Sequence, residues 1–226
     1  MRRRFFIQFS SSALLISIAQ SCKKPSSSNP KQTTQSPPNS GTKIVIGHAT
    51  VASGLPFFCA IEKGFFNEAG LNLDVQKMVT PQRTVEGMIG DRIHGCSNGT
   101  ASGSLAVAAV ASPDLFRIIA ANNSNQQFIL DEIIVPKDSP IQTIADLDNQ
   151  AIACGMGPQN LAIARGLLAK NGVKASQIVQ LEFSQHVAAV ESRQVAAAYT
   201  LEPNGTIGTL KGLTRTLETG VVAKYI

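Results

Sequence analysis

The sequence predicts an α/β protein built of two similar lobes. From Lys43 onward, short β-branched runs alternate with stretches of helical spacing. The order strand, loop, helix, strand, helix, strand occurs twice. Landmarks in the two halves also keep a fixed interval: Gly70 and Gly172 are 102 positions apart, as are Ile93 and Val195. Ile44 and Ala151 are 107 apart, so the first loop of the first half is five residues longer. Residue identity between the halves is poor, and element order and spacing carry the prediction.

In the first half, "TKIVIGHATV" contains a buried strand at about 43–47. "LPFFCAIEKGFFNEAG" places Phe57, Phe58, Ile61 and Phe65 at helical spacing, with Pro56 at its start and Gly70 at its end. "LNLDVQKMV" alternates like a strand. "TPQRTVEGMIGD" has Thr80 as a cap and Pro81 in the first turn of a helix. A short strand "RIHGCS", a helix "SGSLAVAAVA" and a strand "LFRIIAA" follow.

Phe128 to Val135 reads as a strand crossing between lobes. Asp138-Ser139-Pro140 reads as a turn, and Ile144 to Leu147 as a short helix. The second half runs strand "QAIACG", helix "PQNLAIARGLLAKNG" from Pro158 to Gly172, and a strand within "ASQIVQLEF". A helix "SQHVAAVESR" with Ser184 as cap and a strand "QVAAAYT" complete it.

The charge of +5 is set by the N-terminus. Arg2, Arg3, Arg4, Lys23, Lys24 and Lys31 lie in the first 42 residues, which hold no acid. From Lys43 onward there are 14 basic and 15 acidic residues. No basic stripe with interleaved aromatics remains to follow a phosphate backbone, so nucleic acid is excluded as a partner.

Residues 1–21 read as an export signal: three arginines, then a modest apolar stretch from Phe5 to Ala19 broken by Gln8 and by Ser10-Ser11-Ser12. "RRRFFI" resembles a twin-arginine signal, and "IAQSC" resembles a lipoprotein cleavage box ending at Cys22, the expected lipidation site. An ordinary secretory signal with an incidental cysteine is the other reading. Residues 22–42 hold no large apolar residue and read as a disordered tether from a membrane anchor. Cys59, Cys96 and Cys154 lack metal or CxxC spacing and read as buried free thiols, with one disulfide the alternative.

"SPIQTIADLDNQAIACGMG" resembles the phrase that opens the second lobe of type II periplasmic solute-binding proteins of ABC importers. It is most similar to the branch taking sulfonates, taurine, nitrate and thiamine-pyrimidine precursors. "IEKGFFNEAGLNLDV", "MIGDRIHGCSNGTASGSLAVA" and "VESRQVAAAYTLEPNG" resemble further segments of that branch, in the same order, over about 43–226. The resemblance departs at Asp91-Arg92-Ile93-His94, without a second acid, and at Ser192-Arg193-Gln194, without Gly-Asp-Val.

The resemblance implies the type II architecture, with lobe 1 over 43–131, lobe 2 over 132–226 and a ligand cleft between them. It also implies that the chain stops at "GVVAKYI", where a strand returning to lobe 1 begins. Lobe 1 is then incomplete, with an exposed apolar face.

Gly155-Met156-Gly157-Pro158-Gln159-Asn160 carries two of the three glycines of a dinucleotide fingerprint, and Glu182 ends the next strand. Pro158 and Asn160 replace the residues that bring a pyrophosphate close, and the unit is internal rather than first. A plain strand-to-helix turn is one alternative. The other is a binding wall, in which glycines admit the ligand and the helix offers free N–H groups to an oxyanion.

By resemblance, the lobe 2 wall is Gly155, Met156, Gly157, Pro158, Gln159 and Asn160, with Thr200, Leu201, Glu202 and Asn204. The lobe 1 wall is Thr50, Val51, Ser53 and Leu55, with Asn98, Gly99, Thr100, Ala101 and Ser102. Any one of these polar residues can instead serve as a helix cap. Glu202 is expected to accept from a ligand amine or ring N–H and to disfavour a bare anion; a solvated carboxylate at a helix start is its other reading.

His48, His94 and His186 are scattered, and no HExxH, GxSxG or phosphate-loop sequence occurs. The expected protein is therefore not an enzyme and carries no cofactor or metal. Its implied role is to capture a sulfonate, nitrate-like anion or pyrimidine precursor for ABC permease subunits. It would do so at the periplasmic face of the cytoplasmic membrane, held by the lipid anchor. The alternatives are an exported enzyme of pyrimidine- or porphyrin-precursor chemistry on the same body, or a truncated remnant.

Overall fold

A computed structural model of the chain describes residues 42–99, 102–121, 124–125 and 127–226. The export signal, the tether, Cys22, Thr100 and Ala101 lie outside the described residues.

β1 (Lys43–His48) is the β-branched run, and it pairs in parallel with β2 (Asn72–Lys77) on one side and β3 (Gly95–Cys96) on the other. The strand order is β2-β1-β3. In the second half, β5 (Ala151–Gly155) pairs in parallel with β6 (Gln177–Leu181) and β7 (Ala197–Leu201), in the order β6-β5-β7. The two halves thus repeat not only their elements but also their strand order. Gly70 and Gly172 close the equivalent helices with φ of 72° and 69°.

The second sheet extends further than the first. β4 (Asp131–Pro136) and β8 (Thr214–Thr219) add antiparallel to it, giving β6-β5-β7-β4-β8. Side chains alternate across this sheet. Ile133, Val135, Ile152, Cys154 and Tyr199 enter one buried cluster with Leu167 and Leu168 of the helix α5 (Pro158–Lys170). Ile134, Ala153 and Ala198 enter the other, with Ala189 and Val190 of α6 (His186–Glu191). Both clusters belong to the second half. In the first, the buried apolar side chains among the described residues are Val85, Ile93 and Ala108, while Val110, Ile118, Ile119 and Phe128 are exposed. This is the apolar exposure expected of a three-stranded lobe.

Helix starts follow local chemistry. Thr80 caps α3 (Pro81–Ile89), its Oγ1 accepting from Arg83 N–H at 3.2 Å, a contribution of about 1 kcal/mol. Asp146, in the 3-10 turn Ile144–Leu147, accepts from the N–H groups of Gln142 and Thr143, both at 2.9 Å. Those bonds hold its carboxyl below the usual carboxylate range.

Several expectations are corrected. The first helix is two: α1 (Leu55–Glu62) and α2 (Phe65–Glu68), divided where Gly64 turns left-handed at φ 77°. The "LFRIIAA" stretch is neither strand nor helix. Its Ile119 is 96% exposed, and the ladder it would need ends with the two-residue β3. The strand expected at Phe128–Val135 does not cross between lobes: β4 begins at Asp131 and lies wholly in the second sheet. Ser184 is not a cap. It lies inside a 3-10 turn (Phe183–Gln185) whose cap position is Glu182, the Glu182 N–H bonding to Gln185 Oε1 at 3.2 Å. "VVAKY" is not a strand returning to lobe 1 but α8 (Val221–Tyr225), packed on α5 with Val221 buried. The three thiols are free, but Cys59 is exposed and Cys96 half-buried; only Cys154 is buried.

Candidate functional site

The carboxyl ends of the parallel strands in both halves meet at one crevice. On the first wall, β1 runs out through His48 and Ala49 to exposed Thr50. Val51 then caps a 3-10 turn (Ala52–Gly54), and Leu55, 62% exposed, opens α1. Asn98 fastens this loop. Its Nδ2 donates to Ala49 O at 3.0 Å and to Ser53 Oγ at 3.3 Å, and its Oδ1 accepts from Ala49 N–H at 3.0 Å. Gly99, with φ 80°, follows, and Ser102 opens the ten-residue α4 (Ser102–Ala111). Asn98 is therefore bound to its own chain, and its role is to shape the wall.

On the second wall, Gly155 ends β5. A Cβ there would lie 2.3 Å from the Phe183 ring and 2.8 Å from Asn160 Nδ2, so only glycine fits. Gly157 caps α5 with φ 101°, and its N–H donates to Gln180 Oε1 at 2.9 Å. Pro158 is the first helical residue, and Asn160 Nδ2 donates back to Met156 O at 2.8 Å. Neither α4 nor α5 has an acid in its first turn. Their N-terminal partial positive charges are thus left for another negative group.

Thr200 is buried, with its Oγ1 unpaired. Leu201 O accepts from Asn204 Nδ2 at 2.8 Å. Glu202 takes the second of its two expected roles, at a helix start. Its carboxylate accepts from Thr206 N–H at 3.2 Å and Thr206 Oγ1 at 2.8 Å, capping the first turn of α7 (Asn204–Leu210). Charge committed to a helix start is less available to repel an anion or hold an amine.

Among the described residues, three polar contacts bridge the walls. Ala52 N–H donates to Glu202 O at 2.7 Å. Gly103 N–H, in the first turn of α4, donates to Gln159 Oε1 at 3.4 Å. Lys77 Nζ lies 3.5 Å from Glu182 Oε2. Between them runs a narrow seam lined by Pro81, Gln82 and Ser104 on one side and by Met156 to Gln159 on the other, too tight to admit a water molecule. An ordinary small-molecule pocket holds about 300 Å³ or more, so a ligand of that size requires the walls to part.

Residues 52–225 match the family described as NMT1/THI5 like. The chain belongs to this family. No curated protein matches it in sequence. Its fold is shared with solved periplasmic binding proteins. One is the alkanesulfonate-binding protein SsuA of Xanthomonas axonopodis pv. citri bound to MOPS, at 21% identity and a TM-score of 0.57, over 79% of this chain and 61% of that one. A second is the aliphatic sulphonate binding protein SsuA of Escherichia coli, at 19% and 0.59, over 82% and 63%. A third is the nitrate-binding protein NrtA of Synechocystis PCC 6803, at 18% and 0.56, over 80% and 52%. The chain thus spans less than two thirds of the length of these relatives.

In this NMT1/THI5-like chain, sequence reasoning missed Gln180, which anchors the glycine loop from the next strand, and Gln82 and Ser104, which line the seam. Nothing marks them: each is an ordinary polar residue on a helix or strand. His48 reaches the cleft end of β1 and sets its ring edge-on to Phe58 at 5.0 Å. Among the described residues no three His, Cys, Asp or Glu side chains come together as a metal site. No described helix is long and apolar enough to cross a membrane.

Proposed function

We propose that this chain is the extracytoplasmic substrate-binding component of an ABC-type importer. It captures a small polar organic molecule or oxyanion between lobes over 43–131 and 132–226 and delivers it to the membrane permease. The observation that carries this reading is the convergence of two helix starts without acids, those of α4 and α5, on one crevice between two α/β lobes. Family membership and the names of the structural relatives, binders of sulfonates and nitrate, support it. Gly155 to Asn160 on one wall and Thr50, Val51, Ser53, Leu55, Gly99 and Ser102 on the other contact the ligand, and Asn98 shapes the first wall. Thr200, Leu201, Glu202 and Asn204 support the second wall. The chain is exported, and Cys22 carries a lipid that holds it at the periplasmic face.

Equilibrium titration tests this reading, with alkanesulfonates, taurine, nitrate and pyrimidine precursors as probes. Saturable one-to-one binding, with the probe recovered unchanged, is the expected result. Conversion of a bound probe to product would replace the receptor reading with an enzyme.

A further inference from the structure

We propose that Lys77 and Glu182 form an electrostatic latch that holds the two lobes together over the crevice. The two residues stand at the ends of corresponding edge strands. Lys77 is the last residue of β2, the edge strand of the first sheet, and Glu182 directly follows β6, the corresponding edge strand of the second. Their charged atoms meet at 3.5 Å.

Both ends are aimed by local structure. Lys77 is in register with His48 on β1, and Met78 N–H donates to His48 O at 2.8 Å, which fixes the end of the strand. Glu182 N–H is held by Gln185 Oε1, and Glu182 O accepts from Gln185 N–H at 2.8 Å. The pair flanks the crevice rather than lining it. Thr80 and Pro81 follow Lys77 by three and four residues, and Gln180, which holds Gly157, precedes Glu182 by two.

The other two bridges are a backbone bond and an amide bond, Ala52 to Glu202 and Gly103 to Gln159. Among the described residues, the latch is thus the charged one of three bridges. The two side chains are 54% and 37% exposed. A pair so exposed is weak and screened by salt, which suits a contact that must open and close. The latch rests on the two-lobe receptor reading, because closure is what it favours; its test uses no ligand and so stands apart from the ligand's identity.

The test is electron–electron distance measurement on the full chain, with one spin label on exposed Cys59 and one on Lys170→Cys in a Cys22→Ser, Cys96→Ser background. Lys77→Glu is expected to raise the ratio of longer to shorter lobe–lobe distances by at least roughly two- to five-fold, with Glu182→Gln giving a smaller shift in the same direction. The exchanged pair Lys77→Glu with Glu182→Lys is expected to restore the wild-type distribution, which also shows that the variants fold. Added salt is expected to move the wild type as Glu182→Gln does. Identical distributions in wild type and Lys77→Glu, or a widened distribution that the exchanged pair leaves unrestored, would overturn the latch.

Discussion

Asp91 and Arg193 stand 102 residues apart, and both hold a left-handed backbone, with φ of 53° and 61°. Each follows a helix and precedes a buried aliphatic residue, Ile93 or Val195. The N–H of Ile93 donates to Gly87 O at 3.2 Å and that of Val195 to Ala189 O at 3.3 Å, acceptors again 102 apart. The two halves therefore share a backbone path where they share almost no residues. A non-glycine residue in this region is strained by about 1–2 kcal/mol, of which glycine's extra chain entropy offsets part. Asp91→Gly is expected to stabilise the chain by about 0.5–1 kcal/mol in urea unfolding. Arg193→Gly is expected to gain less, because Arg193 also holds both oxygens of Asp138, at 2.9 and 2.8 Å.

Glu132 is buried beneath α7, with Oε2 accepting from Thr216 Oγ1 at 2.7 Å and Oε1 unpaired. Burial pushes its pKa up, and Glu202 and Asp131 push the same way. The folded state then binds the proton more tightly than the unfolded one. This group's contribution to stability is therefore greatest below about pH 4.5, the unfolded value, and is lost as pH rises through the folded value. Glu132→Gln, which keeps an acceptor for Thr216, is expected to raise the unfolding midpoint at pH 7–8 and to give no gain in acid. Gly205→Ala should fail badly, since its Cβ would lie 1.6 Å from Glu132 Oε1, and a loss above 2 kcal/mol or so is expected.

His186 works in the opposite sense. It is fully buried, with Nε2 3.3 Å from Leu181 O and Nδ1 unpaired. Burial lowers its pKa from 6.5 to about 4, opposed by the Leu181 and Cys154 backbone. The unfolded state takes up the proton first, so stability present above pH 6.5 is lost as pH falls toward 4. The loss amounts to about 3 kcal/mol. Urea midpoints from pH 7 to pH 4 check this, and His186→Gln is expected to flatten that part of the profile.

Gln180→Leu removes the acceptor for Gly157 N–H while leaving the strand apolar and intact. A neutral hydrogen bond of this kind contributes about 0.5–1.5 kcal/mol. Ligand affinity is expected to fall roughly two- to tenfold, with a smaller effect on the unfolding midpoint. An unchanged dissociation constant would remove Gln180 from the site.

Much of this fold was legible because its signals are local. Thr80 and Pro81 announce α3, and the spacing of Gly70 with Gly172 announces the repeat. The failures have a common cause in pairing that is not local. "LFRIIAA" has the composition of a strand but no partner ladder. β8, "TRTLET", is polar and becomes a strand because β4 offers an edge. "VVAKY" becomes helical because Val221 buries against α5 and Asp131 Oδ2 accepts from Val222 N–H at 2.9 Å. At the site, the glycine loop could be read from Gly155 and Gly157. Glu202 could be read as a ligand acceptor or as a helix-start carboxylate, and its bonds to Thr206, four residues on, decide for the second.

The central claim is that two α/β lobes bind a small ligand between them, and thermal unfolding of the full chain with and without sulfonates, taurine, nitrate and pyrimidine precursors tests it most directly. One probe at a hundred times its dissociation constant is expected to stabilise the chain by about 2.7 kcal/mol, a rise of roughly 5–10 °C in a cooperative transition. A cooperative transition that no probe moves would contradict a receptor for these ligands, and no cooperative transition at all would contradict a working cleft in this chain.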